Sequence, residues 1–177
     1  MRCKRIPGVD EVVCAIPLGD AALRLEAQKY CRVSAGPEDD VLRRYAIAAE
    51  AFEADIVVRV TGDCPLISPE LCGEVLAMVK NEGVVYASNV NPRSFPKGLD
   101  CEAFPVGDLY YADNEATDPY DREHVTPWIA RKTYRDMNIY SPWPIAPEGR
   151  LCIDTESDYH SICAAFGHAP YEHLHVS

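Results

Sequence analysis

The chain has 177 residues, of which 47% are hydrophobic and 25% charged, a size and balance that suit one folded core and exclude a disordered chain. No apolar run reaches the ~18 residues that a membrane-spanning helix needs, and Pro7, Gly8, Asp10 and Glu11 interrupt the basic start before a signal-peptide core can form. A formal charge of −11 disfavours non-specific contact with nucleic acid or an anionic membrane, so the expected setting is cytoplasmic with neither as partner.

In chain order, residues 11–16 (EVVCAI) read as a buried strand and residues 20–30 as a helix with Leu23 and Ala27 on one face. Residues 40–52 carry a stronger helical pattern. Val41, Tyr45, Ala48 and Phe52 recur at helical spacing, and Asp39 or Asp40 can cap the start. Residues 56–60 (IVVRV) form a second apolar strand. After a loop comes a helix from Pro69 to about Lys80, with Ser68 as N-cap and Pro69 at the first helical position. Residues 84–87 make a third strand. The alternation predicts βαβ units, a mainly parallel sheet and an α/β fold.

The second half changes texture. Residues 91–97 (NPRSFPK) form a loop with two cations, and a strand is expected over 99–104. Helices are expected at 106–114 and 121–131 and a strand at 134–140. The Pro-rich run SPWPIAPEG then leads to a strand at 151–153 and a helix over 157–166. No repeat or low-complexity linker divides the chain. Residues 1–177 are therefore expected to be a single domain with an embedded subregion at about 91–140.

Eight cysteines are present, but none forms a C-x-x-C pair, which argues against structural zinc. Several sit in apolar runs, where a thiol acts as a small hydrophobe. All eight are read as reduced, and Cys64 stands out because it lies in the richest motif. The histidines His168, His173 and His175 read as part of a polar tail.

That motif is RVTGDCPLI, residues 59–67. It follows an apolar strand directly, so Asp63 falls at the carboxyl end of the strand, the edge where open parallel sheets bind ligands. Gly62 permits a tight turn and Pro65 stiffens the exit. The plainer reading is a βα turn in which Asp63 only caps. Asp154 has a similar setting at the end of LCID, whereas Asp158, four residues on, suits a helix cap. Two aspartates from neighbouring strand ends would form a hard oxygen site suited to Mg²⁺. Spacing alone does not make the strands neighbours.

Taken in order, EDDVLRRY (38–45), ADIVVRVTGDCPLI (54–67), Ser88-Asn89, PRSFPKGLDCEAF (92–104) and REHVTP (122–127) resemble the spore-coat polysaccharide biosynthesis cytidylyltransferase family. That family is itself similar to CMP-sialic acid and CMP-Kdo synthetases. The resemblance runs from about Asp10 to Phe166. It implies a Rossmann-like nucleotidyltransferase domain that transfers CMP from CTP to the anomeric hydroxyl of a sugar acid and releases pyrophosphate. It also implies that Asp63 and Asp154 hold catalytic Mg²⁺, with Arg59 (catalytic) and Thr61 beside the nucleotide. Asn89, Arg93, Lys97, Asp100 and Glu102, with Arg122, Glu123 and His124, would bind substrate on the sugar side. The plainer readings are solvated loop cations for Arg93 and Lys97, and surface pairs at a helix start for Arg122, Glu123 and His124. Asp100 and Glu102 share a strand face, so both enter the pocket or both enter salt bridges.

Family members open with a strand and a phosphate-cradling loop of the form A-R-x-x-S-x-R-L-P-G-K. Here the chain opens MRCKRIPGV, and neither G-x-G-x-x-G nor G-x-x-x-x-G-K occurs. The expectation is an N-terminally short cytidylyltransferase with weakened phosphate binding. Its open sheet edge would be completed by a partner, or the chain would form a homodimer through residues 99–131. The alternatives are a non-catalytic remnant that binds a sugar, nucleotide or protein, and a metal-dependent phosphoester hydrolase.

Overall fold

The computed structural model describes residues 1–133, 135–142 and 150–165. A 3₁₀ turn (Arg2–Arg5) precedes β1 (Val13–Pro17), α1 (Ala21–Ala27), β2 (Arg32–Gly36), α2 (Val41–Ala51), β3 (Ile56–Arg59), α3 (Pro69–Glu82) and β4 (Tyr86–Ser88). Then follow β5 (Glu102–Pro105), α4 (Val106–Glu115), α5 (Pro119–His124), α6 (Pro127–Lys132), β6 (Asp136–Asn138) and α7 (Glu156–Ala165).

The strands form two sheets. β1 and β2 pair in parallel, while a four-stranded sheet has the order β3-β5-β4-β6. β3, β4 and β6 share one direction and β5 runs against them, so the expected α/β fold is present with one reversed strand. Both faces of the larger sheet are covered, and strand alternation sorts the side chains between them. Ile56, Val58, Ala87 and Ala103 join the cluster under α3, together with Val75 and Val79. Val57, Tyr86 and Phe104 turn to the cluster that contains Leu42, Ala46 and Leu109 from α2 and α4.

Helix starts follow their capping residues. The Asp40 side chain accepts from the Arg43 N–H at 2.9 Å, and Ser68 Oγ accepts from the Leu71 N–H at 3.2 Å. Gly83 ends α3 in the left-handed conformation.

Two expected elements are corrected. The expected helix over 121–131 is two helices: Val125 adopts φ 71° and ends α5, and Pro127 opens α6. No strand forms at 151–153. Arg150 makes only an isolated bridge to Lys97. The strand β2 has no counterpart in the sequence reading, because RVSAG has too few large apolar residues to show period-two burial. α1 forms within the expected 20–30 helix, buries none of its residues and leaves Leu23 41% exposed. Tyr134, most of the Pro-rich run, Phe166 and the three late histidines lie outside the described residues.

One charged network lies inside the larger sheet. Arg59 on β3 donates from Nη1 to Glu102 Oε2 on β5 at 2.6 Å, and the Tyr86 hydroxyl on β4 donates to Glu102 Oε1 at 2.6 Å. Glu102 is 5% exposed, so these donors take the place of water around its oxygens. Glu102→Ala would strand the Arg59 guanidinium and is expected to lower stability by about 3–5 kcal/mol. Tyr86→Phe removes one hydrogen bond and should cost about 1–2 kcal/mol. Urea denaturation of the two variants checks this order.

Candidate active site

Strand β3 ends at Arg59, and residues 60–68 form the loop that leads into α3. Asp63 sits exposed in that loop. The second aspartate reaches it through a different contact. The Leu151 N–H donates to the Lys97 carbonyl at 2.7 Å, and the Ile153 N–H donates to the Asp63 carbonyl at 2.8 Å. These two bonds lay the 150–154 segment against both loops. One ligand atom from each of Asp63, Cys152 and Asp154 then falls within 4.8 Å of the others. The aspartates are neighbours as expected, although Asp154 arrives on an irregular segment and not on a strand.

Gly98 is the residue that permits this approach. Its φ is +99°, and a Cβ placed there would lie 2.4 Å from the Leu151 carbonyl carbon and 2.7 Å from the Cys152 nitrogen. Gly62, expected to make the tight turn, has no need of glycine on either ground: its φ is not positive and a Cβ would meet nothing within 4 Å.

Around the carboxylates, Arg150 pairs with Asp154 and stands 3.5 Å from Asp158. Asp158 in turn accepts from the Asp154 and Thr155 N–H groups, the capping role expected of it. Thr61 Oγ1 lies 3.0 Å from Cys64 Sγ. Cys64 is buried, and desolvation, partly offset by the Thr61 contact, pushes its thiol up to about 12. At neutral pH it is a protonated core thiol and not a nucleophile.

The remaining expected residues divide into internal pairs. Arg93 holds Asp100 through two bonds of 2.6 and 2.7 Å, and Arg59 holds Glu102, so Asp100 and Glu102 both enter salt bridges. Asn89 is fully buried; its Nδ2 donates to the Leu99 carbonyl at 2.7 Å and its Oδ1 accepts from the Cys101 N–H at 2.8 Å, joining the end of β4 to the approach to β5. Lys97 is exposed, and among the described residues its side chain has no ion-pair partner.

Arg122, Glu123 and His124 close α5 and do not begin a helix. Arg122 donates to both Asp40 oxygens, to Asp113 Oδ1 and to the Asp113 carbonyl. Arg122 and Glu123 line a cavity of about 570 Å³ with Glu38, Asp39 and Asp40, while His124 stacks edge-on against Tyr120. Among the described residues no hydrogen bond or ion pair joins this group to Asp63 or Asp154.

Comparison with known proteins fits this geometry. The sequence model of the family described as Cytidylyltransferase matches residues 20–165. The chain belongs to the cytidylyltransferase family. An uncharacterized protein of Methanocaldococcus jannaschii is 32% identical over 168 residues, covering 89% of this chain and 66% of its own length. The spore coat polysaccharide biosynthesis protein SpsF of Bacillus subtilis is 32% identical over 139 residues, covering 76% of this chain and 57% of its own. The chain thus spans about three-fifths to two-thirds of these curated relatives. Among solved structures, a cytidylyltransferase from Leptospira borgpetersenii superposes with a TM-score of 0.81 at 28% identity, over 93% of this chain and 74% of that one. A CMP-2-keto-3-deoxy-manno-octonic acid synthetase complexed with CTP superposes at 0.65 with 16% identity, over 94% and 84% of the two chains, a likeness of fold.

Gly98→Ala is expected to displace the 150–154 segment, lower the thermal midpoint by several degrees and weaken Mn²⁺ binding at least about tenfold, while Gly62→Ala leaves both within error. Thermal unfolding and Mn²⁺ titration of the two variants test the contrast. Asp40 gives a pH signature. Partial burial acts to raise its carboxyl, but the Arg122 donors and the Arg43 N–H outweigh it and hold the group below the ordinary range. A depressed pKa contributes stability above the unfolded value, about 3.9, that is lost as pH falls through the folded value. Asp40→Asn should therefore cost about 1 kcal/mol at neutral pH, and the gap to the parent should close in acid unfolding curves below about pH 4.

Proposed function

We propose that the chain is the catalytic domain of an enzyme that transfers CMP from CTP to the anomeric hydroxyl of a sugar acid for surface polysaccharide or glycan synthesis. The observation that carries this reading is the convergence of Asp63 and Asp154 to one point beyond the end of β3. Family membership and the likeness to a CTP-bound synthetase support it. In the transfer, the sugar hydroxyl oxygen forms a bond to the α-phosphorus and gives up its proton to solvent, the bond between that phosphorus and the bridging oxygen breaks, and pyrophosphate leaves. The carboxylates present a hard, acceptor-only oxygen set, which fits Mg²⁺. Asp63 and Asp154 would hold it, and Mg²⁺ when bound supplies charge neutralisation at phosphate oxygens.

The chain's own contribution is orientation. The Gly98 contact and the Ile153–Asp63 bond bring together the backbones that carry the two carboxylates, and the Asp158 carboxylate accepts from the Asp154 N–H. Thr61 and Lys97 lie on the two loops that frame the pair; Thr61 is assigned to the nucleotide and Lys97 to the sugar side. Arg59, Arg93 and Arg122 already face internal carboxylates, so their part in binding is to hold the scaffold.

A second reading has its own support. β1 hydrogen-bonds only to β2, and β3 only to β5, among the described residues. α2 nevertheless packs on β1 and β2 while its Tyr45 hydroxyl reaches the Val60 carbonyl at 3.3 Å. Free edges on either side of one helix favour a further strand, from this polypeptide or a partner, that completes the sheet and adds phosphate donors. Without it, the domain binds nucleotide and does not turn over.

Isothermal titration of CTP into the chain with Mg²⁺, then with EDTA, tests the assignment. Metal-dependent binding that Asp63→Asn weakens by at least about a hundredfold is expected for removal of a direct ligand. Equal binding by the parent and the variant would overturn it.

A further inference from the structure

The Asp63–Asp154 pair has a third potential donor that an oxygen-only site does not explain. Cys152 is 6% exposed, and its Sγ lies 3.7 Å from Asp154 Oδ2. Sγ and one oxygen of each aspartate are mutually within 4.8 Å. The three donors differ in placement: both carboxylates are exposed, whereas the thiol lies in the buried wall behind them. A cation entering from solvent would meet the carboxylates first and the sulfur last.

The thiol is also held by the bonds that assemble the site. The Leu151 and Ile153 N–H groups flank Cys152 and are anchored to the Lys97 and Asp63 carbonyls. Its backbone nitrogen is one of the three atoms that a Cβ on Gly98 would strike, at 2.7 Å. The Sγ position is thus set by the same close approach that sets Asp154. The Arg150 guanidinium already places positive charge against Asp154, so a cation bound there would displace this half-exposed side chain from the carboxylate.

Ligand chemistry then decides which ion such a set prefers. Carboxylate oxygens alone suit Mg²⁺ and Ca²⁺, whereas thiolate selects Zn²⁺ and neighbouring first-row ions. Two carboxylates and a thiol leave a fourth position open, as zinc sites that admit a ligand do.

We propose that Cys152 is a third ligand of this site. It makes an Asp–Cys–Asp centre that binds a thiophilic divalent cation of the Zn²⁺ class in competition with Mg²⁺. The proposal rests on the reading of Asp63 and Asp154 as a cation site. On binding, the sulfur forms one bond to the metal and the thiol proton passes to solvent, so charge and atoms balance without any redox partner.

Co²⁺ serves as the probe, because a cobalt–thiolate bond produces charge-transfer absorption in the near ultraviolet that carboxylates do not give. The reduced chain titrated with Co²⁺ is expected to show this band at one equivalent, and excess Mg²⁺ should diminish it. Cys152→Ser should abolish the band and weaken Co²⁺ binding at least about tenfold, a floor set by what even outer-shell partners contribute. Cys64→Ser should retain it. A band of undiminished intensity in Cys152→Ser, or no band at saturating Co²⁺, overturns the proposal. Circular dichroism confirms that each variant is folded, and Asp154→Asn, which keeps the thiol, provides a second test: a band unchanged in that variant also contradicts the shared site. Mg²⁺-dependent CTP binding in Cys152→Ser separates this idea from the one it rests on. If CTP binding survives and no cobalt band forms in the parent, the thiol ligand alone is wrong. If the Cys152-dependent band forms and CTP does not bind, the nucleotide reading alone is wrong.

Discussion

The candidate site depends on one close backbone approach. Gly98 lies so near Leu151 and Cys152 that no side chain fits between them, and on either side of that contact a single N–H bond ties the late segment to an earlier loop. Asp154 is separated from Asp63 by 91 positions in the sequence, and neither stands on regular structure. Their meeting is therefore a property of the 97–98 and 150–153 seam. A carboxylate pair in solvent repels itself, so something other than its own attraction must hold it. Here that work falls to backbone bonds, the Asp158 cap and the positive charge of Arg150.

Behind the seam, the scaffold is stiffened by buried charge. Arg59, Glu102 and Tyr86 link β3, β5 and β4 through two bonds of 2.6 Å. Arg122 gathers Asp40 and Asp113 and so ties α2, α4 and α5 together. Interior ion pairs of this kind add little net stability over apolar packing, yet removing one partner is costly. Their effect is to fix where helices and strands meet. An account in which every arginine of the family-like motifs touched substrate would leave these carboxylates without counter-charges.

Much of this was legible in the sequence, and the limits have physical reasons. Asp40, Ser68 and Pro69 announced two helix starts because capping is local, and IVVRV announced β3 because an apolar run is local too. The pairing of Asp63 with Asp154 was readable only through family resemblance, since no spacing rule joins residues so far apart. Gly98 carries no local signal: a glycine in KGLD looks like any loop glycine until its neighbour across the fold is known. Gly62 sits in the richest motif, yet a side chain there would meet nothing. Arg59 and Asn89 looked available for ligands because a sequence shows residue type and not who is already bonded to it. The break at Val125 was hidden because a β-branched residue gives no sign that it will adopt positive φ, although Pro127 marked the start of α6.

The central claim is that the seam brings Asp63 and Asp154 together as a cation site at the end of β3. A crystal structure of the chain grown with Mn²⁺ and CTP, with anomalous scattering recorded for manganese, tests it most directly. The account predicts one anomalous peak within coordination distance of both carboxylates, with the Leu151–Lys97 and Ile153–Asp63 bonds intact. A peak bound elsewhere, or a structure in which the two aspartates stand apart, would contradict it.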